Sequence, residues 1–206
     1  MAWLKQQHRA LWQFYRNDFC ESLLITAAAF LVICLLSFGV GLINKAIPET
    51  VVDYFSQMLQ NSNIISDDGA IDLPALFGNN VRATLVSVLY GFIPFIYLTA
   101  LALGMNALIL GVLAAYYVNN GASLLVYFAG IVPHGIFELP ALLLAFALGL
   151  MLCKRVTRYV RENVKDMMKP LMANIARVYL MHILPLLMVA AIVETYVTPR
   201  FLGLFM

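Results

Sequence analysis

The chain has 206 residues, a formal net charge of +2, 63% hydrophobic residues and 12% charged residues. Soluble domains run nearer 45–50% apolar and about 25% charged, and a fold this small has too much surface to hide the excess from water. The composition excludes a soluble enzyme, a secreted disulfide scaffold and a nucleic-acid-binding module, and indicates an integral membrane protein.

The first apolar run, Ser22–Ile43, contains no charge. Its length, about 33 Å as a helix, crosses a bilayer. Lys5, Arg9 and Arg16 precede it, and a run this long without a small-residue exit reads as a retained anchor. Residues 45–80 are the sizeable polar segment: Glu49, Asp53, Asp67, Asp68 and Asp72 outnumber Lys45. Val51, Val52, Phe55, Met58 and Leu59 recur at helical intervals, which predicts an amphipathic helix on the membrane surface over Pro48–Leu59. The Ser-Asp-Asp-Gly at 66–69 predicts a turn.

Ala83–Phe137 holds no Asp, Glu, Lys or Arg and is too long for one span. Breaks are expected at Gly104-Met-Asn106 and Asn119-Asn-Gly121. They would give two short helices, 82–101 and 104–118, paired as a hairpin that either crosses fully or re-enters. Ser123–Cys153 is longer than a bilayer needs, about 46 Å as one helix. Pro133 and Pro140 lie inside it, so a break or kink is expected near Pro133. Lys154, Arg155, Arg158, Arg161, Lys165, Lys169 and Arg177 follow, against Glu162 and Asp166. The last span is 178–197.

The excess of Lys and Arg faces the cytoplasm. The expected fold is therefore an all-α polytopic bundle of about five transmembrane helices, forming one integral membrane domain over 1–206. Residues 1–21 are its cytoplasmic N-terminus, 45–80 an extracytoplasmic loop, and 154–177 a cytoplasmic basic segment in contact with membrane lipid. Cys20, Cys34 and Cys153 have neither metal-ligand spacing nor an even count, and read as small hydrophobes.

Ionisable groups inside a membrane are costly and usually functional. Here they are His134, Glu138, His182 and Glu194, with Arg82 at the start of the second span. Counted from the basic residues at 1.5 Å per residue, Glu138 lies about 24 Å from Lys154 and Glu194 about 25 Å from Arg177. The two carboxylates share a depth. His134 is one turn from Glu138 on the same face. Asn79, Asn80 and Arg82 enter the membrane from the same side, so one polar layer is expected from three spans. His182 lies about 18 Å from Glu194 and stands apart, as an interhelical donor. Asn106 caps a helix or bonds backbone at the hairpin tip.

Three readings of the layer stand open. One is a structural knot in which Arg82 neutralises a carboxylate. Another is a divalent-metal site, such as zinc, on His134, Glu138 and Glu194. The last is a catalytic or proton-relay centre, although H-E-x-x-H and Gly-rich phosphate motifs are absent from the sequence.

Four stretches carry a family resemblance: Phe77-Gly-Asn-Asn-Val-Arg82, Gly104-Met-Asn-Ala-Leu-Ile-Leu-Gly111, Pro133-His-Gly-Ile-Phe-Glu-Leu-Pro-Ala141 and Ala191-Ile-Val-Glu-Thr-Tyr-Val-Thr-Pro199. In this order they resemble the stage II sporulation protein M family of bacterial multi-span membrane proteins. The family's usual Asn-Gly is Asn106-Ala107 here. Its functional residues map onto Asn80, Arg82, Asn106, His134, Glu138 and Glu194. The resemblance implies a non-enzymatic scaffold or assembly factor in the inner membrane, one that localises peptidoglycan-degrading partners during envelope remodelling. A homodimer is expected from the small-residue faces and from a bundle too small to bury every polar group. A metal-dependent membrane hydrolase and a transporter subunit are the alternatives.

Overall fold

The computed structural model describes residues 2–60, 64, 71–163 and 168–204; the turn expected at 66–69 lies outside them. Helix α1 (Ala2–Phe14) continues through a π turn at Tyr15–Phe19 into α2 (Cys20–Ile43). Then come α3 (Ala46–Gln60), α4 (Leu73–Leu89), α5 (Leu98–Asn119) and α6 (Leu124–Glu162). Helix α7 (Met168–Val178) passes through a second π turn, Tyr179–Ile183, into α8 (Leu184–Tyr196), and α9 (Thr198–Leu202) follows. Four stretches are long and apolar enough to cross a membrane: Lys5–Ile43, Leu98–Asn119, Leu124–Glu162 and Met168–Tyr196. Helix α4, 17 residues with Arg82 near its middle, is not among them.

Helix starts follow from their caps. Asp72 accepts a bond from the Ala75 amide at 2.7 Å, with Pro74 in the first turn of α4. Ser123 accepts from the Leu125 amide at 3.1 Å at the start of α6.

Helix α6 is central. Its Ala-rich stretch Ala141–Cys153 is largely buried, and α2, α4, α5, α8 and α9 all pack on it. Gly149 permits a close approach: the Ser87 carbonyl and the Thr99 side chain occupy the space a Cβ would need. Thr99 Oγ1 also donates to the Ser87 carbonyl at 2.8 Å. Gly91 and Gly111 are similarly crowded, whereas Gly104 faces open space.

One expectation about breaks is corrected. No break occurs at Gly104–Asn106; α5 runs through it, and Asn106 donates to the Ala102 carbonyl one turn back at 2.9 Å. The chain turns instead at 90–97, so the helices are 73–89 and 98–119. Pro94 lies in this turn, and proline disfavours helix both at its own position and just before it; a lone glycine costs a helix only about 1 kcal/mol. Phe95 and Tyr97 adopt left-handed backbone, φ 69° and 51°. The Phe95 amide donates to Thr157 Oγ1 at 3.1 Å, pinning the turn to α6. Helix α6 itself is unbroken, with Pro133 and Pro140 inside it.

These contacts sort the bundle's ends. The 90–97 turn lies beside Cys153 and Thr157, at the basic end of α6. Helix α1 packs on α7 there, and Arg177 bonds Gln7 at 2.5 Å. At the opposite end Asn119 Nδ2 donates to the Gly41 carbonyl at 2.9 Å, next to α3. His134 and α9 lie toward this second end, where Gly130 approaches Leu202.

Candidate functional site

His134 and Glu138 are four residues apart on α6, so helical geometry alone puts them on one face. Glu194 comes from the last turn of α8, and α8 packs along α6. One ligand-capable atom from each of the three residues lies within 4.8 Å of the other two. His134 Nε2 is 4.0 Å from Glu138 Oε2. The other ring nitrogen, Nδ1, is 3.3 Å from Thr198 Oγ1 at the start of α9. Thr198 is buried and donates its hydroxyl hydrogen to the Val193 carbonyl at 3.3 Å. All three cluster residues are half-buried.

The sequence makes this convergence unusual. Glu138 is the sole Asp, Glu, Lys or Arg between Arg82 and Lys154, and Glu194 the sole one between Arg177 and Arg200. The chain thus sets the only carboxylates of two long apolar stretches beside each other. Like charges so placed repel unless a proton or a cation sits between them. One imidazole and two carboxylates can take a divalent metal, share protons, or pair as an imidazolium with a carboxylate.

None of the other polar residues of the expected layer bonds the cluster among the described residues. Asn80 is buried on the face of α4 that meets α6 and α8, and its Nδ2 has no partner among the described residues. Asn79 and Arg82 are exposed on the other side of α4. Basic and acidic side chains approach each other among the described residues at Arg155–Asp18, at Arg158–Glu162 and at His134–Glu138, the last an ion pair only with a protonated imidazole. Arg82 belongs to none of them, so the salt link from Arg82 to a membrane carboxylate is not formed. Asn106 is exposed on α5 and bonded to its own helix. His182 stands apart, with Nδ1 3.4 Å from the Tyr15 hydroxyl and the two rings edge-to-face at 5.6 Å.

Sequence reasoning missed Thr198. It follows Glu194 by four residues, but α8 ends at Tyr196 between them, so the spacing alone does not bring Thr198 to the site. The three cysteines are free, Cys153 buried and Cys20 exposed.

Apolar helices of spanning length around a polar centre define an all-α polytopic membrane protein. Residues 22–199, most of the chain, match Stage II sporulation protein M. The protein belongs to that family. An uncharacterised protein of Methanocaldococcus jannaschii is 29% identical over 138 residues, 63% of this chain and 72% of that relative. No solved structure matches.

Proposed function

We propose that the protein is a non-enzymatic scaffold of the bacterial inner membrane, with five spans, acting as a homodimer that assembles peptidoglycan-remodelling partners. Membership of the Stage II sporulation protein M family supports the membrane-protein part of this reading. Helix α4 serves as the fifth crossing; its length, about 26 Å, is near the lower limit for one. The gathering of α1, α7 and the basic end of α6 supports a cytoplasmic placement of that end. The acidic 45–80 segment then faces outward.

The observation that carries the scaffold reading is the exposed face of α4, with Asn79 and Arg82. A guanidinium turned toward hydrocarbon costs several kcal/mol (roughly 3 on insertion scales). A protein surface that pairs with it removes that cost. The test is photo-crosslinking from position 79 in native membranes, using full-length protein. Adducts to a second copy or to a peptidoglycan-degrading enzyme are expected. Adducts to lipid alone overturn the reading.

A metal-dependent hydrolase is the second reading, and the cluster of His134, Glu138 and Glu194 favours it. It requires turnover by the purified protein that Glu138→Gln abolishes without unfolding it.

A further inference from the structure

The Thr198 hydroxyl has one hydrogen, and it goes to the Val193 carbonyl. With that hydrogen on the Val193 carbonyl, the Thr198 oxygen is left as an acceptor toward His134, and the tautomer assigned by this pattern carries its proton on Nδ1. A neutral imidazole has a single N–H, so Nε2 presents a lone pair. That nitrogen lies 4.0 Å from Glu138 Oε2, and Glu194 completes a set of ligand-capable atoms within 4.8 Å of one another. Among the described residues neither carboxylate accepts a hydrogen bond from a side chain or backbone donor. Three electron-pair donors thus share one small volume, and a threonine outside it fixes the ring. Fixing one ring nitrogen by a hydrogen bond while the other meets the ion is the usual support of a metal-bound histidine.

We propose that His134 Nε2, Glu138 and Glu194 bind one divalent transition-metal cation of the zinc class, with Thr198 as the positioning residue. One nitrogen and two carboxylate oxygens suit zinc. Bond lengths near 2.1 Å put tetrahedral ligands about 3.4 Å apart. The present separations, all within 4.8 Å, close to that by small side-chain rotations. The ion offsets the repulsion between the two carboxylates and ties α6 to α8. Three protein ligands leave a coordination position for water or for a partner's side chain. This inference does not depend on the scaffold reading.

The test uses the full-length protein purified in detergent, stripped with chelator and titrated with zinc chloride alone. Metal content, calorimetry and melting temperature are read together. One zinc per chain is expected, with a higher melting temperature on binding. Glu138→Gln, Glu194→Gln and His134→Ala each weaken binding by about tenfold or more. Thr198→Val keeps the stoichiometry but weakens affinity by about 10- to 100-fold, the usual cost of losing the support of a metal-bound histidine. His182→Ala binds zinc like the parent. Should the glutamate variants fail to fold, Thr198→Val against His182→Ala decides. Zinc content in the parent no higher than in a Glu138→Gln/Glu194→Gln double variant overturns the proposal and leaves an imidazolium–carboxylate pair in its place. Equal zinc affinity in Thr198→Val and the parent overturns the assigned role of Thr198.

Discussion

Two of the three histidines, His134 and His182, form a controlled contrast. Each has Nδ1 near a hydroxyl at almost the same distance, Thr198 at 3.3 Å for His134 and Tyr15 at 3.4 Å for His182. Each ties together parts of the chain far apart in sequence. They differ in what else they meet. His134 faces two carboxylates. His182 lies in a π turn, edge-on to the Tyr15 ring, which packs in turn against Phe14 and Phe19. A histidine in a membrane helix is therefore not itself a sign of chemistry. The informative feature is the unpaired acceptors placed around it.

The largest expected effect separates the two sites through ligand linkage. With free zinc at 100 times its dissociation constant, binding to the folded state stabilises by about 2.7 kcal/mol. The Glu138→Gln/Glu194→Gln double variant loses that entire increment, and His182→Ala keeps it. Thermal unfolding with and without zinc chloride measures both. A zinc increment that survives in the double variant erases the distinction between the histidines.

A packing variant touching neither histidine sets the scale. Gly149→Ala drives a methyl group into the Ser87 carbonyl and Thr99. Overpacking of that kind costs about 1–3 kcal/mol, expressed equally with and without zinc. Gly104→Ala, facing open space on α5, should be neutral or stabilise by up to about 1 kcal/mol, because alanine is the better helix former. If Gly149→Ala also abolishes zinc binding, the centre of α6 and its polar end are coupled, and the two regions cannot be treated separately.

A smaller effect comes from the hydroxyls. Tyr15→Phe removes the partner of His182 and should cost about 1 kcal/mol, the net worth of an ordinary hydrogen bond, with zinc affinity unchanged. Thr198→Val removes a bond of similar length from His134, yet its readout is zinc affinity. If both variants behave alike in the zinc titration, His134 is as structural as His182.

What could be read in advance follows from what helices make regular. His134 and Glu138 share a face by helical period, and Glu194 reaches their depth because rise per residue is constant and both spans were counted from basic residues at one end. Thr198 was not legible, because it depends on how the chain re-enters a helix after Val197, with Pro199 in the first turn of α9. The turn falls at 90–97 rather than at 104–106 because Pro94 opposes helix more strongly than glycine or asparagine does. Glycine in a packed helix has a second use: Gly111 on the same helix lies against the Cys34 carbonyl. The two π turns and the helix at 168–178 also went unread. In α7 the buried residues Leu171, Ile175 and Val178 have helical spacing, but they sit among the charges that were read only for topology.

Arg82 shows how a count of residues along a helix leaves the direction of a side chain open. On α4 the inward positions are Leu76, Asn80, Thr84, Ser87 and Val88. Two residues along a helix is a rotation of about 200°, so a buried Asn80 turns Arg82 outward, away from Glu138 and Glu194. Arg82→Gln should accordingly leave melting temperature and zinc affinity as they are, the smallest effect on the folded chain of any variant considered. Its consequence should appear only between molecules, as loss of the crosslink from position 79. Mass measurement and photo-crosslinking of the same preparation check both halves. If Arg82→Gln instead strips zinc or lowers the melting temperature, the guanidinium reaches the carboxylates in the membrane, and the polar layer is larger than His134, Glu138, Glu194 and Thr198.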